Sequence, residues 1–287
     1  MKLLFKSILP AMIFLLTGSA LLAQTPEVIR TESSDPAPKT PLDGVVEKTL
    51  ISEKRVLPYA PVREADYFWE KRIWRVIDTR EKMNHPFINP DMRFFSILLD
   101  AAINGEITVY STEDDRFTRP LHPDEVAGIG SKPDTVITFD PETYEEIVQI
   151  VNNELNPDDV KRFRIKEVWY FDKEKSEVRS RILGIAPLMN SYDDNGNFRF
   201  ELPLFWVYYP DARYTLAQYE AFRTGNDTAP LTWEDIMEMR FFSSYVIKER
   251  NVLDRRIEDI YSGLDILMEG EKIKQEIFNY EHDLWSY

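Results

Sequence analysis

Three apolar segments between residues 163 and 209 constrain the fold of this chain most strongly. The apolar residues at 163, 165, 169 and 171 fall on one parity, as expected for a strand with one buried face. A turn at 172–176 leads into a second segment at 178–188. Asn195-Gly196 is typical of a tight hairpin before the third segment at 198–209. We therefore predict an antiparallel meander of three strands.

Helical periodicity and capping residues predict helices around this meander. Helices are expected near 66–83, 91–104, 141–155 and 214–222, after Thr232, and over 252–285 with a kink or break after Gly270. Short strands are expected near 107–109, 136–139 and 241–247. The sequence thus predicts an α+β fold. A central antiparallel sheet (the meander) is flanked by helices and followed by a helical C-terminal region, in one domain from 44 to 287.

The segment 66–83 is open to two interpretations. Trp69, Ile73, Val76 and Ile77 fall at helical spacing after Asp66, a suitable N-cap. The alternation in 73–77 also permits a strand, but the length and charge of the segment favour a helix. In a helix, residue 74 would lie about 140° from residue 69 and face away from the buried side.

The amino end has the features of a secretory signal peptide. Lys2 and Lys6 precede an apolar stretch, and small residues follow, so cleavage is expected after Ala23, with Ala20 as second choice. An uncleaved anchor is the alternative, although the apolar stretch is shorter than the roughly 20 residues of a span. We expect a signal peptide at 1–23, a flexible Pro/Thr/Ser-rich tether at 24–43, and an exported, soluble mature chain with no direct membrane span.

Charge and cysteine content exclude several classes of function. The chain carries 50 acidic against 35 basic residues, a net charge of −15, which disfavours nucleic acid as a partner. It has no cysteine, so thiol nucleophiles, thiolate metal sites, disulfides and a lipoprotein anchor are excluded.

No motif in the sequence predicts a catalytic, cofactor-binding or metal site. The three histidines, at 85, 122 and 282, are far apart in sequence, and no nucleophile elbow, zinc-protease helix or phosphate-binding loop occurs. Residues 193–197 resemble part of a calcium loop, but the spacing of ligands favours a hairpin turn. Carboxylate pairs such as Glu113 with Asp114 and Glu145 with Glu146 leave a glycosidase-type mechanism open.

A specific run of residues resembles a known family. The run is 67–87, YFWEKRIWRVIDTREKMNHPF, and the segments RFFSILLDAAINGEITVY and IKEVWYFDKEKSEVRSRILGIAP also fit. They resemble the GldN/PorN family, a periplasmic component of the type IX secretion and gliding motility machinery of Bacteroidetes. The resemblance covers most of the chain from about residue 65 onward.

The resemblance implies a non-enzymatic subunit of a ring complex. Such a subunit joins an outer-membrane lipoprotein, GldK or PorK, self-associates within a periplasmic ring and contacts the periplasmic domain of the motor protein GldM or PorM. It is then associated with the outer membrane through the lipoprotein and supports protein secretion and gliding. The alternatives are a periplasmic or secreted carbohydrate-active enzyme with a carboxylate pair, and a monomeric binding module.

The same segment supplies a candidate protein interface. Aromatic residues and arginine are enriched at interfaces, and they cluster at 69–80. The residues assigned to this interface are Trp69, Trp74, Arg75, Asp78, Arg80 and Asn84.

Overall fold

A seven-stranded antiparallel sheet organises the residues that the structure describes. The structure, a computed structural model, describes residues 54–129, 132–139, 146–153, 155–192, 198–222 and 231–284, with backbone alone for the second and third ranges. The strands are β1 (Tyr67–Asp78), β2 (Val109–Tyr110), β3 (Lys132–Phe139), β4 (Glu146–Asn153), β5 (Val160–Asp172), β6 (Glu177–Tyr192), β7 (Phe198–Pro203), β8 (Trp206–Tyr208) and β9 (Tyr245–Glu249). The order in the sheet is β2-β8-β6-β5-β1-β9, with β7 also paired to β6, while β3 and β4 form a separate hairpin.

The helices divide the sheet into a helix-covered face and an open face. They are α1 (Phe94–Ile103), α2 (Pro123–Gly128), α3 (Tyr209–Leu216), α4 (Trp233–Glu238) and α5 (Leu264–Asp283). On the helix-covered face the largest core cluster joins residues of α1, α3 and α4 to the sheet, and a second cluster joins α5 to β1 and β9. The open face has a smaller buried cluster of Trp74, Ala186 and Trp206. These elements confirm the α+β class.

The predicted meander is confirmed. β5 and β6 pair over most of their length, and β6 continues into pairing with β7 and β8. A bulge in the β5–β6 pairing lies beside Gly184, where a Cβ would come within 2.5 Å of the Phe117 ring. The glycine therefore lets Phe117 pack directly against the strand.

The predicted helix at 66–83 is wrong. Residues 67–78 form β1, a central strand between β5 and β9, and Lys82–Ile88 forms a 3-10 turn. Both faces of β1 are buried in its second half, so its apolar residues do not alternate cleanly. The charge of Lys71, which favoured a helix, is balanced by Glu249 at 3.2 Å and Glu276 at 2.8 Å.

Residues 146–153 are likewise a strand and not part of the predicted helix at 141–155. They form β4, which pairs in register with β3. Four of the eight residues of β4 are Ile or Val, whose branched side chains favour strands. The helical spacing of Ile147, Val148 and Val151 is also compatible with this strand.

The C-terminal helix is shorter at its start than predicted and continuous at Gly270. α5 begins at Leu264, after a 3-10 turn at Ile257–Asp259, so 252–263 is not one helix with it. Gly270 lies buried inside α5, where a Cβ would lie 3.0 Å from the carbonyl oxygen of Val246. The glycine thus permits close packing of α5 on β9 and does not break the helix.

Other boundaries shift by a few residues. α1 begins at Phe94, with Arg93 as N-cap, where a helix over 91–104 was predicted, and α3 covers 209–216 where 214–222 was predicted. The predicted cap at Thr232 is confirmed. The signal peptide, the tether, the turn at Asn195-Gly196 and the rejected calcium loop lie outside the described residues.

The segment that precedes β1 is fastened to α3 and α4. Lys54 forms ion pairs with Asp235 at 2.5 Å and Glu234 at 3.3 Å. Tyr59 donates a hydrogen bond to Glu238 at 2.6 Å, and the guanidinium of Arg213 lies 4.1 Å from the centre of the Tyr59 ring. We call these contacts the amino-terminal clamp.

Candidate protein-interaction site

The six residues assigned to an interface do not form one surface. In the extended β1, Trp74 and Asp78 face the open side, whereas Trp69 and Arg75 lie on the other parity. Arg80 and Asn84 follow the strand. The predicted rotation of Trp74 away from Trp69 depended on a helix and does not apply.

Asp78, Arg80 and Asn84 come together at the end of β1. Asp78 is buried and forms ion pairs with Arg80 at 2.5 Å and Arg162 at 3.1 Å. Burial alone would raise the pKa of Asp78, but hydrogen bonds from Arg80 and the charge of Arg162 outweigh it and lower the pKa to about 2. Most of the Arg80 side chain is exposed, so Arg80 is the member of this group that a partner can reach directly.

Asn84 is a structural connector. It is 0% exposed, and its amide nitrogen donates to the carbonyls of Asp78 at 2.8 Å and Ser243 at 2.9 Å. Its side-chain oxygen accepts from the backbone N–H of Ser243 at 2.9 Å. These bonds join the turn after β1 to the segment that leads into β9.

Trp74 lies between two lysines at the floor of the open face. It is 6% exposed, with the ammonium of Lys248 at 4.3 Å and that of Lys166 at 5.6 Å from its ring centre. Burial lowers the pKa of Lys166, although the charge of Asp115 opposes the shift. Trp74 is thus packed by cation–π contacts within its own chain.

Trp69 and Arg75 also make internal contacts. Trp69 stacks on Tyr280 of α5, with ring centres 4.2 Å apart and planes at 10°. Arg75 donates to the hydroxyl oxygen of Ser244 at 2.9 Å and to its carbonyl oxygen at 3.1 Å, and burial lowers the pKa of Arg75. The role of the six residues as an interface stays a prediction, and the contacts of five of them hold the fold.

A groove of about 810 Å³ runs over the open face above Trp74. Its walls come from distant parts of the chain, namely residues 112–116, the end of β7 and the segment 254–259 after β9. A narrower pocket of about 440 Å³ shares Arg164, Glu201 and Ile247 with this groove. Residues of β7 and β9 both line this pocket although the two strands are far apart in the sheet order, so the described residues of β7 lie close to β9 on the open face.

A second surface is an apolar cleft of about 900 Å³ beside the 3-10 turn after β1. Half-exposed apolar side chains line it, among them Met83, Ile88, Phe222 and Phe241. The run 67–87 therefore has two structural roles. Its first part is a central strand, and its last part forms a wall of this cleft.

Sequence reasoning identified Trp74 at the floor of the groove and missed the rest of both surfaces. Their lining residues are brought together by strand pairing between segments more than 100 residues apart, such as β1 with β9. A local signal existed in β7, where Phe198, Phe200 and Leu202 alternate with charged residues and stay about half exposed. Alternation of that kind indicates a strand, but it does not reveal that the apolar side faces solvent.

The described residues contain no grouping of three or more histidine, aspartate or glutamate side chains suited to a metal ion. His122 instead caps α2, accepting from the backbone N–H of Asp124 at 3.4 Å, while His85 lines the apolar cleft and His282 lies in the last turn of α5. Across the ranges that the structure covers, we find no helix with the length and hydrophobicity of a transmembrane span.

Comparison with protein families gives a match over most of the chain. The family model described as "Gliding motility associated protein GldN" matches residues 62–286. That match spans the sheet, both surfaces and α5. A search of curated proteins finds no match.

Proposed function

Because the chain belongs to the GldN family of gliding motility-associated proteins, we propose that it is a non-enzymatic structural subunit of the type IX secretion system. It resides in the periplasm and forms a ring complex with an outer-membrane lipoprotein, GldK or PorK. It also contacts the motor protein GldM or PorM, and so supports protein secretion and gliding motility. The family match over 62–286 is the observation that carries the proposal.

The two surfaces support a role in assembly. A cleft lined by half-exposed Met, Ile and Phe side chains is typical of a protein–protein contact, because such apolar surface is costly to leave in water. The cleft includes part of the run 67–87 that resembles the family. We therefore assign the lipoprotein contact to this cleft.

Co-purification tests the proposal. The tagged full chain, extracted from cell envelopes in mild detergent, is expected to elute at high mass together with the outer-membrane lipoprotein. Phe241→Glu places a charge in the cleft at a 49% exposed position and is expected to reduce recovery of the lipoprotein. The matched control is Val252→Glu, at a fully exposed position outside the cleft lining. Recovery of the wild-type chain as a monomer would contradict the proposal.

A further inference from the structure

Arg164 occupies an unusual position in a row of cations on the open face of β5. Its neighbours on the same parity are Arg162 and Lys166. Arg162 pairs with Asp78 and Glu201, and Lys166 pairs with Asp115 at 3.5 Å. The side chain of Arg164 makes no ion pair or hydrogen bond with the other described residues, and its Nε is buried without an acceptor.

The surroundings of Arg164 disfavour its positive charge on balance. Burial lowers the pKa of Arg164 and the positive charge of Arg256 lowers it further, while the negative charges of Glu201, Glu258 and Asp115 oppose the shift. Arg256 itself is paired with Glu258 at 2.9 Å. A buried donor without an acceptor is rare in folded proteins and calls for a specific explanation. The acceptor that a guanidinium binds most strongly is an anionic oxygen.

The surroundings of Arg164 indicate what carries that oxygen. The pocket of about 440 Å³ is lined on one side by Phe200, which is 48% exposed, and on the other by Tyr245 and Ile247. Arg199, which makes no ion pair with the described residues, lines it as well. Glu201 and Glu258 also line the pocket, but Glu201 pairs with Arg162 and Glu258 with Arg256, so the lining has three arginines against two glutamates. In the part of the chain that the structure covers, β7 pairs with β6 alone, so its outer edge can hydrogen-bond to an extended segment.

We propose that this pocket binds an acidic, extended segment of another protein, with a carboxylate on Arg164 and a neighbouring aromatic or aliphatic side chain against Phe200. A guanidinium binds a carboxylate through two parallel hydrogen bonds, which would satisfy the orphaned donor. A crosslink to a second copy of this chain is one of the outcomes that the test below distinguishes. The inference rests on the proposed function and names the chemistry of one partner contact.

Site-specific crosslinking tests the contact. A photoreactive benzoylphenylalanine replaces Phe200 in the full chain in its native cells, and the crosslinked peptides are identified by mass spectrometry. The expected crosslink lies on another protein within a few residues of Asp or Glu. Arg164→Gln is expected to reduce the yield of this crosslink at least tenfold. Arg55→Gln, at an exposed position outside the groove and the pocket, is expected to leave the yield unchanged. Crosslinks to a second copy or to lipid, no crosslink above background, or an unchanged yield in Arg164→Gln would each overturn the proposal.

Thermal unfolding separates a binding role from a structural one. Arg164→Met removes an unpaired charge, so its Tm is expected to equal or exceed that of the wild type while the crosslink is lost. A Tm several degrees lower would show that Arg164 serves the fold and would overturn the proposal. Failure of this site leaves co-purification with the lipoprotein intact, whereas failure of the proposed function leaves the wild-type chain monomeric.

Discussion

Replacement of Asn84 by alanine is expected to unfold this protein more readily, although Asn84 was assigned to an interface from the sequence. Its side chain makes three hydrogen bonds to the backbone of Asp78 and Ser243. The carbonyl of Asp78 keeps a second bond, from the N–H of Glu81 at 3.2 Å. In the alanine variant, the N–H and the carbonyl of Ser243 each lose their hydrogen bond to the Asn84 side chain.

The size of the effect follows from these groups. Each buried backbone group left unsatisfied costs about 1–3 kcal/mol, so the free energy of unfolding is expected to fall by about 3 kcal/mol. For a chain of this length that corresponds to a Tm lower by roughly 6–12 °C. Asn84→Asp is expected to lower the free energy of unfolding more at neutral pH than at acidic pH. A carboxylate can accept a hydrogen bond from Ser243 but cannot donate one to the two carbonyls.

Urea unfolding followed by circular dichroism measures the loss, with Asn279→Ala as control. Asn279 is exposed on α5 and accepts a hydrogen bond only from Gln275, at 2.8 Å, among the described side chains. Its replacement is expected to change the free energy of unfolding by less than about 0.5 kcal/mol. If Asn84→Ala unfolds at the same urea concentration as the control, the assignment of Asn84 as a structural connector is refuted.

Three other variants probe the fold and the proposed non-enzymatic role. Trp74→Ala is expected to reduce the free energy of unfolding by about 3–5 kcal/mol in urea titrations, because it empties a buried site; a fold as stable as the wild type would instead favour Trp74 as an interface anchor. The pKa of Asp78 is lowered from 3.8 to about 2, so its ion pairs stabilise the fold above pH 4 and lose that effect as the pH falls from about 4 to about 2. The stability of Asp78→Asn is expected to lack this pH dependence in acid unfolding. If the stability of the variant and that of the wild type fall in parallel between pH 4 and pH 2, the ion pairs of Asp78 do not stabilise the fold. Glu113→Gln combined with Asp114→Asn is expected to preserve gliding and secretion, and a loss of secretion in a stable, assembled variant would indicate a catalytic carboxylate.

Local sequence signals were sufficient for the elements whose chemistry is local. The β5–β6 hairpin follows from alternation on either side of a polar turn, and α4 from Thr232. Thr232 accepts from the N–H of Asp235 at 3.3 Å, and Asp235 accepts from the N–H of Thr232 at 2.9 Å. The short aspartate thus completes the capping box that usually uses glutamate.

The sequence misled where tertiary contacts override local periodicity. β1 is buried on both faces, so Ile73 and Trp74 are adjacent and both apolar, a pattern that also fits a helix. The ion pairs that accommodate Lys71 come from β9 and α5, nearly 180 residues or more away, and cannot be read from the local sequence. The unpaired side chain of Arg164 could not be recognised from the sequence either, because its surroundings come from strands that are far apart in the sequence.

The amino-terminal clamp determines how the domain bears tension. A pull on the chain ahead of residue 54 loads the contacts of Lys54 and Tyr59 with α3 and α4 before it reaches β1. Once they release, the load acts along the axis of a strand that is hydrogen-bonded on both sides. Many bonds must then shear together, whereas an edge strand peels one bond at a time. Under tension the contacts of the amino-terminal clamp therefore break first, and β1 then resists extension. This order suits a protein that is held at its amino end while force acts on another part of it.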